Sequence, residues 1–172
     1  GSIKDAGYGL IKLYREKVAP RIQPEIVELP VQFKINGQAY SGQIDLGHRV
    51  FNPETLESKM VIRDTKTTAR MPQEGQYLLN MTGYAISQRQ ATGEEEADTV
   101  LDYLIANKEP KYKELRMGGP ITEADIRRFS RVVGSVAASI NSEQYVPNGL
   151  TNGACSWCGV RDFCPAYLGK ES

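Results

Sequence analysis

The chain has 172 residues, of which 21 are basic and 21 are acidic, so its formal net charge is zero. This length suits one domain with a sizeable buried core, and 40% hydrophobic with 24% charged residues is typical of soluble globular proteins. The neutral balance does not by itself indicate a nucleic-acid-binding protein, no apolar run is long enough to span a membrane, and the N-terminal segment predicts no signal peptide.

The first half of the chain predicts one helix followed by three strands. A helical rhythm of apolar residues covers 9–18, and Pro20 ends it. The pair Asn36-Gly37 is a strong hairpin-turn signal, and the segment NPET predicts a second turn. These turns separate three short strands that together predict an antiparallel meander. The strands are predicted at residues 25–35, 39–51 and 59–66.

The second half predicts a helix at 74–90, strands at 99–107 and 111–117, and a long helix at 123–141. Thr122 and Asp125 form a capping box for the last helix. Its apolar residues form one stripe, and they are Ile126, Phe129, Val132, Val133, Val136, Ala137 and Ile140. The acidic segment EEEAD, residues 94–98, is interpreted as a solvated loop. The whole pattern predicts an α/β fold, with a central mixed sheet flanked by helices.

The segment VIRDTKTTAR, residues 61–70, places two charges in a stretch that otherwise suits a covered strand. Asp64 and Lys66 are two residues apart, and side chains two apart in a strand point to the same face. A solvated edge strand with a surface ion pair is one interpretation. A metal-dependent active site is the other, because desolvating either charge without a partner is costly.

One strand earlier, the segment SGQIDLG carries Asp45 in another apolar run. If the meander pairs this strand with that of Asp64, the two carboxylates converge beside Lys66. Carboxylates with a carbonyl and waters suit a hard cation such as Mg²⁺ or Mn²⁺. A lysine beside that cation can orient a water or stabilise charge on a phosphate. The combination fits metal-assisted hydrolysis of a phosphodiester.

The helix predicted at 74–90 adds polar groups to this arrangement. Asn80 and Tyr84 are four residues apart and share one face, which Gln73 and Gln76 extend. In this order, GQIDLG, VIRDTKTT and NMTGYAI resemble the three core motifs of the RecB-like PD-(D/E)XK nucleases. The usual helix motif of that family is Gln-xxx-Tyr, and Asn80 takes the Gln position.

Two further residues lie near these motifs. Glu28 sits where such nucleases often carry a Glu before the hairpin, although a solvent-facing strand residue is the simpler interpretation. His48, the single histidine, is interpreted as ordinary strand filling. The basic residues Arg63, Lys66 and Arg70 gather in the same stretch and are compatible with phosphate contacts.

The three cysteines lie within ten residues, in the spacing C-x2-C-x5-C followed by a proline. Without secretory features, clustered cysteines suggest metal binding rather than disulfides. Three thiolates ending in Cys-Pro suit iron–sulfur ligation, which needs four ligands, and zinc is the competitor. The layout resembles RecB-like exonucleases whose tail cysteines join one upstream cysteine around a [4Fe–4S] cluster. The residues are Cys155, Cys158 and Cys164, with Trp157 and Phe163 expected to pack around them.

That group includes the CRISPR-adaptation exonucleases and the helicase–nuclease subunits of recombination. Its upstream cysteine is absent here, and so is its usual N-terminal helix that carries an acidic residue or a histidine, so either the native N-terminal part is missing or this member has lost the cluster. The resemblance implies a restriction-endonuclease-like nuclease core at residues 1–149 and a cysteine-rich tail, 150–172, packed on it.

The resemblance also implies a Mg²⁺- or Mn²⁺-dependent DNA exonuclease, usually acting on single strands, in recombination, repair, phage replication or CRISPR adaptation. A partner protein in a recombination or CRISPR complex is a further expectation, and the setting is intracellular: cytoplasmic, nucleoid-associated, nuclear or organellar. The implied metal ligands are Asp45, Asp64 and the Thr65 carbonyl; Lys66 positions the water; and Gln76, Asn80, Tyr84 and Arg70 contact DNA.

Two other classes of function stay open. One is a catalytically inactive DNA-binding or interaction module with a nuclease-like fold and a structural metal at its tail. The retention of Asp45, Asp64 and Lys66 argues against it. The other is an electron-transfer iron–sulfur protein, which leaves the strand charges unexplained. No G-x-x-x-x-G-K-[ST] segment occurs, so a helicase motor is not indicated.

Overall fold

The computed structural model describes residues 2–70, 77–144, 149 and 153–169, with side chains from Gly7 onward. The chain divides into two compact units, Gly1–Arg131 and Val132–Ser172. The helices are α1 (Ser2–Lys17), α2 (Leu78–Thr92), α3 (Glu123–Asn141) and the short α4 (Pro165–Leu168). The strands are β1 (Ile26–Ile35), β2 (Gln38–Asn52), β3 (Glu57–Thr68), β4 (Asp98–Ile105) and β5 (Lys111–Arg116).

The first unit contains a mixed five-stranded sheet in the order β1-β2-β3-β4-β5. The first three strands form the expected antiparallel meander, β3 and β4 are parallel, and β4 and β5 are antiparallel. A parallel pair needs a crossover connection, and α2 provides it between β3 and β4. Asn36 and Gly37 both have positive φ, 51° and 77°, as a tight hairpin turn requires. The predicted fold class is confirmed.

The buried centre of the sheet lies at β3 and β4. All eight residues of β4 are buried, because a central strand is covered on both faces. Helix α2 packs against strands β1 to β4, and α1 packs against β4 and β5. Ile62, Leu101 and Met81 are among the most buried side chains. Strand β3, which carries Asp64 and Lys66, therefore lies in the best-packed part of the unit.

The acidic segment 94–98 is the expected solvated loop only at Glu94 and Glu95, which are exposed, whereas Glu96 and Asp98 are buried. Glu96 is 0% exposed and accepts two hydrogen bonds from Arg89, at 2.8 and 2.9 Å, and one from the Ile121 backbone N–H at 2.6 Å. Asp98 is also buried and accepts hydrogen bonds from the Thr99 and Gly119 backbone N–H groups. A bidentate guanidinium can compensate a buried carboxylate, and the composition of a short acidic run does not reveal such a partner.

The long helix α3 begins as expected but buries less than its stripe suggests. Thr122 and Asp125 form the reciprocal capping box, with nitrogen–oxygen distances of 2.9 and 3.3 Å. Within the first unit, Phe129 is buried and its ring lies 5.9 Å from that of Phe33. In the second unit, Val132, Val136 and Ile140 are exposed.

None of the helices in the described ranges has the length and apolar character that a membrane span requires.

Glu96→Gln should lower the free energy of unfolding by about 3 kcal/mol, because it leaves the partly buried Arg89 guanidinium without its carboxylate. The matched control is Glu95→Gln: Glu95 is exposed and lies 3.5 Å from the same guanidinium, so its loss should cost at most about 0.5 kcal/mol. Urea denaturation of both variants measures the difference. Equal effects at the two positions would contradict the buried clamp.

Candidate active site

Asp64 and Lys66 stand side by side on β3, as the alternation of strand residues requires. The Lys66 Nζ atom lies 2.7 Å from both carboxylate oxygens of Asp64. Nζ is oriented to donate a hydrogen bond to Oδ1. Oδ2 is as close to the ammonium but accepts no hydrogen bond from the described residues. The Asp64 side chain is only 1% exposed. A buried carboxylate oxygen therefore keeps unused acceptor capacity beside an ammonium group.

Asp45 reaches the same place from β2. The β2–β3 ladder ends at the pair Leu46 and Arg63, so Asp45 and Asp64 are the next opposed residues along the two strands. Asp45 Oδ2 accepts a hydrogen bond from the Thr65 backbone N–H at 3.3 Å. The Asp45 side chain thus binds the β3 backbone just beyond the last backbone pair of the two strands. This places its carboxylate close enough to act on that of Asp64.

The electrostatics of the cluster follow from burial and charge. Burial raises the pKa of Asp64; Lys66 opposes this shift, and the negative charge of Asp45 adds to it. Burial works against the charge on Lys66, but Asp64 and Asp45 outweigh it and raise the pKa of the ammonium. Two carboxylates and one ammonium leave a surplus of negative charge. This surplus, and the Asp64 oxygen that accepts no hydrogen bond from the described residues, suit a hard divalent cation.

Tyr84 of α2 lies next to these charges. It is half-buried and its ring is in van der Waals range of Gly42, 3.5 Å from the position of a Cβ built on that glycine. Burial raises the pKa of the Tyr84 hydroxyl, and the negative charges of Asp64 and Asp45 add to the shift. The predicted neighbour Asn80 is exposed one turn earlier on the same helix.

The remaining residues predicted to contact DNA are less defined. Arg70 is exposed just after β3, where its backbone N–H donates to Thr68 Oγ1 at 3.2 Å. Gln73 and Gln76 lie outside the described residues. Arg63 is not the surface phosphate contact that the basic stretch suggested. It is 3% exposed and engaged with Asp102 and Glu114.

Two tyrosines beside Lys66 were missed by the sequence reasoning. Tyr103 is the register partner of Lys66 across β3 and β4. Tyr77, directly before α2, has its ring centroid 5.5 Å from Lys66 Nζ and 6.4 Å from the Tyr103 ring centroid. The aromatic pair lines the site on the side away from Asp45's strand. The Tyr103 contact depends on a strand register that no local motif specifies.

Two residues that the sequence singled out behave as their simpler interpretations expect. Glu28 is exposed on β1, where Gln43 Nε2 donates to its carboxylate. His48 is buried in the sheet, and its Nε2 has no hydrogen-bond partner within the described part of the chain. Burial lowers the pKa of His48, and the positive charge of Arg63 adds to this effect. His48 is therefore held as a neutral, structural side chain.

The cysteines belong to the second unit. Cys155 and Cys164 are partly buried and Cys158 is exposed, and all three are free thiols. Over the ranges that the structure describes, no three His, Cys, Asp or Glu side chains gather in a way that could hold a metal. Trp157 and Phe163 are 82% and 84% exposed, so the expected packing around the thiols is wrong.

Comparison with known proteins gives a family and a fold. The model of the PD-(D/E)XK nuclease superfamily matches residues 3–165. The crystal structure of a protein named SSO0001 is 19% identical, with a TM-score of 0.52, over 93% of this chain and 67% of that chain. A crystal structure from Eubacterium rectale, whose protein is provisionally named an exonuclease, is 14% identical, with a TM-score of 0.60. That match covers 92% of this chain and 59% of the other, so the present chain spans about three fifths of that relative's length. The comparison with curated proteins gave no match.

Lys66→Met should make stability depend more steeply on pH, because it removes the ammonium that opposes the raised pKa of Asp64. An acid whose folded pKa exceeds its unfolded pKa is penalised as pH rises through the folded value. We expect wild-type and variant to differ little near pH 4, and the variant to be less stable by about 1–3 kcal/mol near pH 8.

Denaturation with urea across this pH range measures the effect. Lys59→Met is the control, because Lys59 lies on the same strand and its side chain is 45% exposed. A Lys66→Met penalty that is the same at both ends of the range would contradict the assigned coupling.

Proposed function

The chain belongs to the PD-(D/E)XK nuclease superfamily, and we propose that it is a metal-dependent deoxyribonuclease that degrades single-stranded DNA from an end. The observation that carries this proposal is the ion pair of the buried Asp64 with Lys66 next to Asp45, in which one Asp64 oxygen has no hydrogen bond from the described residues. Nucleases of this superfamily usually use divalent metals such as Mg²⁺, and the family implies a nucleic-acid substrate. The name of the Eubacterium rectale relative supports the exonucleolytic mode.

In this proposal, Asp45, Asp64 and the backbone carbonyl of Thr65 hold Mg²⁺ or Mn²⁺. A cation bound there lowers the pKa of its bound water and neutralises charge on the phosphate. Lys66 orients the attacking water and stabilises negative charge that develops on the phosphate oxygens. Its contact with Asp64, at 2.7 Å, keeps Nζ at the carboxylate that is proposed to bind the metal.

DNA is proposed to approach along the face that α2 shares with the site. Tyr84 stands within electrostatic range of both carboxylates, Asn80 is exposed one turn before it, and Arg70 is exposed after β3. We propose that these three side chains, together with Gln76, contact the phosphate backbone or the terminal nucleotide. Such contacts release counterions, so binding weakens steeply with added salt.

We further propose that the chain belongs to the RecB-like branch and that Cys155, Cys158 and Cys164 bind a [4Fe–4S] cluster whose fourth ligand is not among these 172 residues. Their spacing and the following Pro165 support this proposal. The described side chains do not gather around a metal, so the tail would reorganise when the metal binds, as small metal sites commonly do. We also propose that the tail, residues 150–172, packs on the nuclease core.

We propose that the protein acts with a partner protein in recombination, repair, phage replication or CRISPR adaptation.

Lys66→Ala should slow cleavage of a labelled single-stranded oligonucleotide by at least about a hundredfold, because the positioned ammonium is lost. Lys59→Ala on the same strand should cleave like wild-type. The assay titrates Mg²⁺ and Mn²⁺ and includes circular single-stranded DNA, which an exonuclease leaves intact. Salt-sensitive DNA binding by wild-type protein without any cleavage would favour the inactive binding module instead.

We expect the three-cysteine tail to hold an iron–sulfur cluster weakly, because three thiolates without a fourth ligand leave one iron of the cluster open to oxygen. The purified chain should be colourless in air and faintly brown only when prepared anaerobically. Iron and sulfide analysis, with visible absorption before and after exposure to air, checks this expectation. A stable stoichiometric zinc ion would overturn the cluster, and it would leave the active-site assignment untouched.

A further inference from the structure

Arg63, immediately before Asp64 on β3, lies at the centre of a buried polar cluster on the opposite face of the strand. Its Nε and Nη2 atoms donate to the two carboxylate oxygens of Asp102, at 2.8 and 2.7 Å. Nη2 also donates to Glu114 Oε2 at 2.7 Å, and the Tyr112 hydroxyl donates to Asp102 Oδ1 at 2.7 Å. The side chains of Arg63 and Asp102 are 4% and 1% exposed.

The physical cost of this cluster calls for an explanation. Burial opposes the charge on Arg63, and the hydrogen bonds and charges of Asp102 and Glu114 outweigh it, so that the pKa of the guanidinium is raised. Replacing a buried ion pair by apolar residues of similar volume is often neutral or stabilising. Stability alone therefore does not account for an arginine at this position.

The position of the pair within the sheet suggests what it does. The ladder between β2 and β3 ends at Arg63, whereas the ladder between β3 and β4 continues from Asp64 to Thr68. The segment of β3 that carries Asp64 and Lys66 thus pairs its backbone with β4 and no longer with β2. Asp102 is the register partner of Thr65, so the Arg63–Asp102 bond runs diagonally from β3 to β4 at the point where β2 leaves.

A second contact holds the same segment. Thr65 donates its backbone N–H to Asp45 at 3.3 Å. Tyr14 of α1 lies near Thr65, and burial together with the charge of Asp102 raises the pKa of this tyrosine. The residue between Asp64 and Lys66 is therefore held by a hydrogen bond to β2, while the Arg63–Asp102 pair ties β3 to β4.

We propose that Arg63 and Asp102 are positioning residues: they lock β3 against β4 so that Asp64 and the Thr65 carbonyl hold a divalent cation in the geometry that cleavage requires. This inference rests on the proposed function, and it concerns the far side of the strand rather than the metal-binding face. Partners outside the ligand shell typically change metal affinity by about 10- to 100-fold.

The test compares two double variants. Arg63→Met with Asp102→Asn removes both charges of the positioning pair and keeps an oxygen that can accept from Tyr112. Arg89→Met with Glu96→Gln removes a second buried bidentate pair and keeps an acceptor for the Ile121 N–H. Calorimetric titration of Mn²⁺ into the DNA-free protein should show affinity reduced about tenfold or more in the first variant and unchanged in the second.

Cleavage kinetics supply a second readout. At saturating Mn²⁺, the first variant should lose kcat while its KM for the oligonucleotide stays within about twofold, because the DNA-contacting face is untouched. Arg63→Lys keeps the charge without the bidentate fork and should fall between wild-type and the double variant, which keeps the test available if the double variant does not fold.

The outcomes separate the two proposals. If wild-type protein binds Mn²⁺ and the first double variant binds it equally well, the positioning role is wrong and the nuclease assignment stands. Equal loss of affinity in both double variants would also overturn it, because general destabilisation then explains the effect. If wild-type protein binds no Mn²⁺, the proposed function fails, and the inference that rests on it fails too.

Discussion

The rest of this structure depends on one constraint: strand β3 buries two charged side chains away from water. Strand β3 buries a carboxylate on one face, at Asp64, and a guanidinium on the other, at Arg63. Neither group could be desolvated alone, since an isolated buried charge costs several kcal/mol even after relaxation. The surrounding elements therefore supply compensation: Lys66 from the same strand, and Asp102 from β4.

The two faces differ in how completely their charges are matched. Around Arg63, the Nε and Nη2 donors of the guanidinium are matched by Asp102 and Glu114, which is the pattern of a structural network. Around Asp64, one carboxylate oxygen accepts no hydrogen bond from the described residues, and the charge of a second carboxylate, Asp45, acts on it. Incomplete compensation is unfavourable for stability, and it is typical of sites that bind a further charged group.

The position of the site follows from the topology. The meander brings β2 beside β3, and the ladder between them stops at the residue before Asp64. Helix α2 then crosses over the sheet to make β3 and β4 parallel, and it carries Tyr84 back over the carboxylates. The three sequence motifs are thus brought together by one strand–strand–helix sequence.

The sequence by itself determined the features that depend on near neighbours. Alternation put Asp64 and Lys66 on one face, the Asn36-Gly37 turn set the hairpin, and the Thr122–Asp125 box began α3. Only the tertiary structure decided which charges are buried. Glu96 lies in an acidic run and Arg63 in a basic one, yet both are buried, because Arg89 of α2 reaches Glu96 and Asp102 of β4 reaches Arg63. Burial depends on strand register and on layers of packing, and no local pattern of residues encodes either.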